Sequence, residues 1–211
     1  MEKPIRILNR YTTLPVLLDV LKKRKLTLLD PRLWEDRNDA ELMLEFKRRM
    51  KVKNLFVLCF ASGDETVHHW KSFSAGSSGC VIEFDAPGLF KAFDQVPGLQ
   101  RGRVKYVKLP ELEGANKKVI ALDAIPFTKR WPYRCEEEYR VLVTTDEDLA
   151  YYEVPIGIDT IRRITISQQM PESVFQTIKE HLKDLNQNPE GKVNRSTLFE
   201  NKRWIKAFRN S

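Results

Sequence analysis

The stretch WPYRCEEEYRVLV, residues 131–143, places three consecutive glutamates directly before an aromatic and aliphatic strand pattern. Acidic residues are depleted in strands, and a buried carboxylate is costly unless it is paired. Because side chains alternate along a strand, an extended chain would put Glu136 and Glu138 on one face with Arg140, the two glutamate Cα atoms about 7 Å apart. Glu137 would lie on the opposite face. The segment predicts either two functional carboxylates or a solvated strand entry with a surface Glu–Arg pair.

Helical and extended patterns follow one another along the chain in an order that limits the fold. Helices are predicted over 12–26, 40–50, 64–74, 86–96, 112–129 and 171–185, and strands over 55–62, 79–85, 102–109, 137–145, 149–156 and 161–169. Helices early and late with strands clustered between them are typical of the α+β class. At 211 residues the chain suits one domain with a sizeable core. We therefore expect a single α+β domain over residues 1–211, with a mostly antiparallel, split sheet flanked by helices.

The charge balance favours an anionic partner. The chain has 36 basic and 29 acidic residues and a net charge of +7, which suits nucleic acid, a phosphorylated cofactor or an acidic protein. The segment KVNRSTLFENKRWIKAFR, residues 192–209, interleaves basic residues with Phe199, Trp204 and Phe208. This pattern suits base stacking and phosphate contact, and an amphipathic docking segment explains it equally well.

The chain has the features of a cytoplasmic protein and none that predicts a membrane partner. Its longest apolar runs, such as LFVLCFA at 55–61, are too short to span a bilayer. The start MEKPIRILNRYTTL lacks an apolar segment of signal-peptide length. The three cysteines are odd in number and form no CxxC pair, which is typical of a reducing compartment. We therefore expect the protein in the cytoplasm.

Common catalytic and phosphate-binding motifs are missing from the sequence. The loop AGSSG at 75–79 fits neither a P-loop nor a dinucleotide-binding fingerprint. No spacing of His, Cys and carboxylates resembles a zinc site, so no metal is predicted, and no GxSxG is present. A metal-dependent nuclease using Asp39, Glu136 and Glu138 remains an alternative of lowest rank.

A series of short motifs, in order, resembles a known family. The motifs are LNRYTTLPVLLDVL (8–21), RNDAE (37–41), CFAS (59–62), WKSFSAGSSGCVIEFD (70–85), RVKY (103–106), KRWPYRCEEEYRV (129–141) and IRRITISQQMPESVFQTIKEHL (161–182). Together they are similar to the bacterial family known as domain of unknown function 2971. The chain departs from that family where Ala40 replaces a proline and Ser72-Phe73 replaces His-Tyr.

The resemblance implies an ADP-ribosyltransferase-like fold and NAD as substrate. It implies that Glu138 is the catalytic glutamate, which stabilises the oxocarbenium-like transition state, and that Glu136 engages the acceptor. The implied NAD-binding residues are Arg10, Tyr11, Ser62, Trp70 and Phe73. A guanidinium such as that of Arg10 suits phosphate because it can form two parallel hydrogen bonds.

From these features we expect an NAD-dependent ADP-ribosyltransferase, acting as a toxin or phage-defence effector. Its acceptor would be a nucleic acid, RNA or DNA, or a protein, and a cognate antitoxin would be a partner. The alternative is a non-catalytic module that binds nucleic acid or a partner protein. A dependence of NAD consumption on Glu138 distinguishes the two.

Overall fold

A seven-stranded sheet forms the centre of the protein, and helices pack on both of its faces. The computed structural model describes residues 4–74, 76–115, 117–185 and 192–209. The strands are β1 (Ile7–Thr13), β2 (Lys25–Leu28), β3 (Asn54–Ala61), β4 (Gly79–Asp85), β5 (Gln100–Arg103), β6 (Lys105–Val107), β7 (Thr128–Arg130), β8 (Glu138–Thr145), β9 (Tyr152–Pro155), β10 (Ile161–Ile166) and β11 (Lys192–Arg195). The α-helices are α1 (Leu14–Lys23), α2 (Arg37–Met50), α3 (Val67–Phe73), α4 (Ala86–Phe93), α5 (Glu172–Leu185) and α6 (Lys202–Arg209).

The central sheet has the strand order β11-β10-β4-β1-β3-β8-β5 and is mostly antiparallel. Only the β10–β11 pair within it is parallel. Strands β1 and β3 share a single residue pair, Asn9 with Ala61, whereas β3 and β8 pair along eight positions. The sheet is therefore split between β1 and β3. The predicted α+β class, with a mostly antiparallel, split sheet flanked by helices, is confirmed.

The two faces of the sheet have different surroundings. One face, here called the core face, carries Leu8, Phe60, Phe84, Val141 and Ile164, which form one apolar cluster with residues of α1, α4 and α5. On the other face, here called the site face, apolar residues of β3 and β8 pack against α2, and Tyr11, Ala61 and Val81 pack against Trp70 of α3. Helices thus cover both faces, and α2 and α3 are the ones that carry polar residues to the site face.

Local sequence signals explain where α1 and α2 begin. Helix α1 starts directly after Thr13 with Pro15 in its first turn, as the sequence predicts. Helix α2 is capped by Asp36, whose carboxylate accepts hydrogen bonds from the backbone amides of Asn38 at 3.1 Å and Asp39 at 3.3 Å. The cap therefore fixes the turn that carries the buried Asp39.

Two predicted helices differ from the structure. The segment 112–129 contains a short 3-10 helix, Leu122–Phe127, and then β7, instead of one long helix. Pro126 lies inside that 3-10 helix, and proline has no amide hydrogen to continue a regular helix. The helix predicted over 64–74 begins later, at Val67, and its cap is Thr66.

None of the helices in the described part of the chain has the length and apolar composition needed to span a lipid bilayer.

Replacement of Asp36 by alanine tests the cap of α2. Two backbone amides of the first turn would lose their acceptor, so we expect the free energy of unfolding to fall by about 1 kcal/mol. Asp36→Ser retains a hydroxyl acceptor and should remain close to wild type. Urea denaturation of the three proteins checks this, and equal midpoints for wild type and Asp36→Ala would contradict it.

Candidate functional site

The three glutamates of the opening stretch lie in a turn, not in an extended strand. Residues Trp131–Glu136 form a 3-10 helix, Glu137 adopts a left-handed backbone conformation with φ of 42°, and β8 begins at Glu138. Hydrogen bonds hold this turn, because both the amide and the hydroxyl of Ser62 donate to the Glu137 carbonyl oxygen, at 2.9 and 2.8 Å. The predicted strand alternation across the glutamates is therefore wrong.

Buried charged side chains surround the start of β8. We call them the carboxylate–cation cluster, and its members are Asp39, Lys129, Glu136, Glu138 and Arg140. Arg140 is at its centre and is fully buried. Its Nε donates to Glu138 Oε1 at 2.6 Å, one terminal nitrogen donates to both Glu138 Oε2 at 3.0 Å and Asp39, and the other donates to the Pro126 carbonyl oxygen at 2.9 Å. Such buried charges are stable only as a paired set.

Lys129 completes the cluster from β7. Its Nζ lies 2.5 Å from Glu136 Oε2, 3.2 Å from Glu138 Oε2 and 3.5 Å from Asp39 Oδ2. The three carboxylates of the nuclease hypothesis do converge, but Lys129 and Arg140 are bonded to them. A divalent cation could reach those oxygens only by displacing one of these two cations. Among the described residues, no group of three or more His, Cys, Asp or Glu side chains is arranged to hold a metal ion.

Burial and pairing shift the proton affinities within the cluster in different directions. Burial alone would raise the pKa of Glu138, but the Arg140 guanidinium and the Lys129 ammonium hold it well below its usual range. Burial raises the pKa of Glu136, which Lys129 only partly offsets. Burial alone would lower the pKa of Lys129, but the surrounding carboxylates raise it. Glu138 therefore stays ionised, and its charge is neutralised inside the protein.

A cavity of about 840 Å³ lies beside the cluster, at the end of the sheet where β3 ends and β8 begins. This volume falls within the range of small-molecule sites. Three arginines line it, together with carboxylates and neutral polar groups: Arg6, Arg103, Arg163, Asp64, Glu65, Glu83, Glu137, Asn9, Tyr11, Ser62 and Thr165. Arg163 is paired with Glu83 at 2.5 Å, and Arg103 donates to the Ser62 hydroxyl at 3.2 Å. The cavity thus combines guanidinium groups with carboxylates.

Of the predicted NAD-binding residues, Tyr11 and Ser62 line this cavity. The Tyr11 hydroxyl is buried and has no hydrogen-bond partner among the described residues. Burial and the nearby Glu65 carboxylate raise the pKa of Tyr11. Tyr11 therefore contributes to the cavity lining, while its hydroxyl is enclosed by the protein.

The other predicted residues lie outside the cavity lining. Trp70 is buried edge-on to Tyr11 and donates its indole hydrogen to Glu65, whereas Phe73 is partly exposed near His68. Glu136 and Glu138 belong to the carboxylate–cation cluster. Their roles in binding and catalysis stay predictions.

Arg10 does not lie with Glu138. Arg10 is opposite Ile82 on the core face, while Glu138 aligns with Ala61, which pairs with Asn9 on the site face. Strand alternation therefore directs the two side chains to opposite faces. The Arg10 guanidinium donates to the Cys59 carbonyl oxygen at 3.0 Å, in the gap where β1 and β3 separate. Its predicted NAD contact stays a prediction, and the structure gives it a role in bridging the split strands.

Sequence reasoning missed Arg103, Glu137 and His69. His69 is buried, stacks on Tyr11 at 4.9 Å and bonds through Nε2 to the Glu136 carbonyl oxygen at 3.0 Å. Since a carbonyl oxygen only accepts, Nε2 carries the proton. Glu137 and Arg103 lie within the sequence motifs KRWPYRCEEEYRV and RVKY. The turn before β8 brings the two side chains into one cavity, and the sequence does not predict this turn.

The C-terminal helix α6 has no buried residue. Its aromatic side chains Trp204 and Phe208 are 64% and 65% exposed, and four of its other residues are basic: Lys202, Arg203, Lys206 and Arg209. The predicted basic and aromatic segment at 192–209 therefore contains strand β11, which joins the sheet, and the surface helix α6. It offers cations and aromatic rings together.

No protein-family model matches the chain, and no curated protein matches it. Three solved structures of Thermus sp. 2.9 DarT are similar to it. The complex with NAD+ shares 15% identity, with 93% of this chain and 98% of that chain covered and a TM-score of 0.48. The complex with ADP-ribosylated ssDNA shares 14% identity, with 93% and 98% covered and a TM-score of 0.47. The complex with carba-NAD+ shares 13% identity, with 92% and 97% covered and a TM-score of 0.46. Membership of the domain of unknown function 2971 family stays a prediction.

The low pKa of Glu138 predicts a specific dependence of stability on pH. Because this pKa is about 2 in the folded protein and 4.5 as its ordinary value, the ionised form stabilises the fold. That contribution is fully present above the ordinary value and is lost as pH falls through the folded value. We expect the stability difference between wild type and Glu138→Gln, measured by urea denaturation, to shrink as pH is lowered from about 6 to about 3.

Glu180→Gln, at an exposed position on α5, is the matched control for this titration. Its difference from wild type should stay constant over the same pH series. A difference for Glu138→Gln that is equally constant would contradict the buried ion pairing.

Proposed function

We propose that this protein is an NAD-dependent ADP-ribosyltransferase that acts in the cavity beside the carboxylate–cation cluster. The observation that carries the proposal is a single cavity wall that combines arginines, hydrogen-bonding side chains and the turn bearing the glutamates. A diphosphate needs cations, a ribose needs hydrogen-bonding groups, and glycosidic cleavage needs a carboxylate opposite the developing positive charge.

The lining side chains fit the parts of NAD. Arg103 and Arg6 provide positive charge for the diphosphate, and a guanidinium suits phosphate geometry. Asn9 and Thr165 supply hydrogen-bonding groups for ribose hydroxyls. Tyr11 adds an aromatic ring to the same cavity lining. These contacts would hold the dinucleotide with its reacting carbon near the turn at 136–138.

The chemistry asks little acid–base power of the protein. The bond between the ribose C1′ atom and the nicotinamide nitrogen breaks, and its electron pair neutralises the positive charge of the leaving nicotinamide. An oxygen or nitrogen of the acceptor then forms a bond to C1′ and loses its proton. Positioning of the two reactants and one carboxylate facing the positive C1′ can therefore supply most of the acceleration.

For the acceptor we propose an anionic macromolecule, RNA or DNA. The exposed rings and cations of α6 support this choice, because aromatic stacking and phosphate contact together bind single strands. A role as a toxin or phage-defence effector in the cytoplasm, with a cognate antitoxin, belongs to the same proposal. It follows from the family resemblance of the sequence motifs.

Arg103→Ala tests the cavity as the NAD site. Loss of a charge-assisted hydrogen bond costs about 1.5–3 kcal/mol, so we expect the KM for NAD to rise about 10- to 100-fold. Nicotinamide release from labelled NAD, in the presence of nucleic-acid and protein acceptors, is the measurement.

Arg101→Ala is the control, because Arg101 lies on the same strand but is paired with Asp94 at 2.7 Å and does not line the cavity. Its KM for NAD should equal that of wild type. No nicotinamide release by the wild-type protein with any acceptor class, water included, would refute the transferase function.

The second candidate is a non-catalytic nucleic-acid-binding module, favoured by the exposed rings of Trp204 and Phe208. It predicts salt-sensitive binding of single strands without any NAD consumption. The transferase proposal predicts NAD consumption by the same preparation.

A further inference from the structure

Both carboxylate oxygens of Glu138, the glutamate that the family resemblance marks for catalysis, are already bonded to cations of the protein. Arg140 bonds to both of its carboxylate oxygens, and Lys129 contacts Oε2 at 3.2 Å. Its side chain is 6% exposed and does not line the cavity. Because its negative charge is paired with two buried cations, it would contribute little electrostatic stabilisation to a positive charge on a reacting carbon. Turning it toward a substrate would break its bonds to both cations, and breaking a buried ion pair typically costs several kcal/mol.

Glu137 has the opposite environment. It is exposed and lines the cavity, and no salt bridge holds its carboxylate among the described residues. Its backbone is left-handed, with φ of 42° and ψ of 48°, which is uncommon for any residue other than glycine. This conformation takes Glu137 out of the strand alternation, so that its side chain enters the cavity while the residues on either side enter the cluster.

The surroundings hold Glu137 in this position. Ser62 fixes its carbonyl oxygen with two hydrogen bonds, and the Glu137 carboxylate lies against the backbone of Gly63. A Cβ atom built on Gly63 would be 2.3 Å from Glu137 Oε2, so only glycine leaves the carboxylate its place. The Asn9 side chain in turn donates to the Gly63 carbonyl oxygen at 3.1 Å. Three cavity-lining residues therefore support one exposed carboxylate.

We propose that Glu137 is the catalytic carboxylate of the transferase reaction and that Glu138 is a positioning residue. The inference rests on the proposed function. The ionised Glu137 faces C1′ while the C1′–nicotinamide bond breaks and the electron pair leaves with nicotinamide. It then accepts the proton that the acceptor loses as the new bond to C1′ forms. Glu138 and Arg140 fix the start of β8, and thereby the turn that aims Glu137.

Glu137→Gln separates the two roles. We expect kcat for nicotinamide release to fall about 100- to 1,000-fold, with KM for NAD and the melting temperature unchanged. Glu147→Gln, at an exposed position beyond the other end of β8, should keep the wild-type kcat. Glu138→Gln should lower the melting temperature and, when assayed well below it, keep a larger share of kcat than Glu137→Gln.

Gly63→Ala is the second variant, since its methyl group must displace the Glu137 carboxylate. It should lower kcat with little change in NAD affinity. The affinity is measured for this variant and for wild type by calorimetry without an added acceptor. The assignment of Glu137 as the catalytic carboxylate would be overturned if Glu137→Gln kept kcat within about threefold of wild type while folded Glu138→Gln was inactive. An inactive wild type that still binds NAD would instead refute the transferase function itself, and the assignment with it.

Discussion

The buried contact between Arg140 and Glu138 is the interaction on which the rest of the site depends. The Arg140 guanidinium is fully buried, and burial of a single charge of this kind is prohibitive without partners. Glu138, Asp39 and the Pro126 carbonyl oxygen supply those partners from β8, α2 and the segment before β7. One side chain therefore ties together three parts of the chain at the start of β8, the strand that directly follows the cavity-lining Glu137.

This arrangement explains why carboxylates are concentrated at the entry of a core strand. Glu136 and Glu138 neutralise Lys129 and Arg140, so their charges are used inside the protein. Glu137, between them, is turned into the cavity by a left-handed backbone that Ser62 stabilises. The alternation of roles within three consecutive residues comes from a turn, not from the pleat of a strand. The buried ion pairs of Glu136 and Glu138 and the exposed carboxylate of Glu137 therefore belong to the same turn.

The sequence predicts the general architecture well because its signals are local. Apolar runs such as 55–61 and helix-start residues such as Pro15 mark a strand and a helix that the structure contains. It also indicates that Glu136 and Glu138 act together with Arg140. It places Asp39 with Glu136 and Glu138 only in the nuclease alternative, and it does not predict the pair of Asp39 with Arg140, which joins residues 101 positions apart. Nor does it predict the left-handed Glu137, since glutamate has no preference for that conformation.

A double-mutant cycle between Glu138→Gln and Arg140→Met, measured by urea denaturation at neutral pH, tests most directly whether this buried pair holds the site together. Either single change removes one partner of a buried charge, and breaking a buried pair in this way typically costs about 3–5 kcal/mol. Asp39 remains beside Arg140 in the first variant, and Lys129 remains beside Glu138 in the second. We expect a coupling free energy of at least about 2 kcal/mol, because the second change removes the charged group whose partner the first change has already removed. Additive effects, within about 0.5 kcal/mol, would show that the pair is not the interaction on which the turn and its exposed glutamate depend.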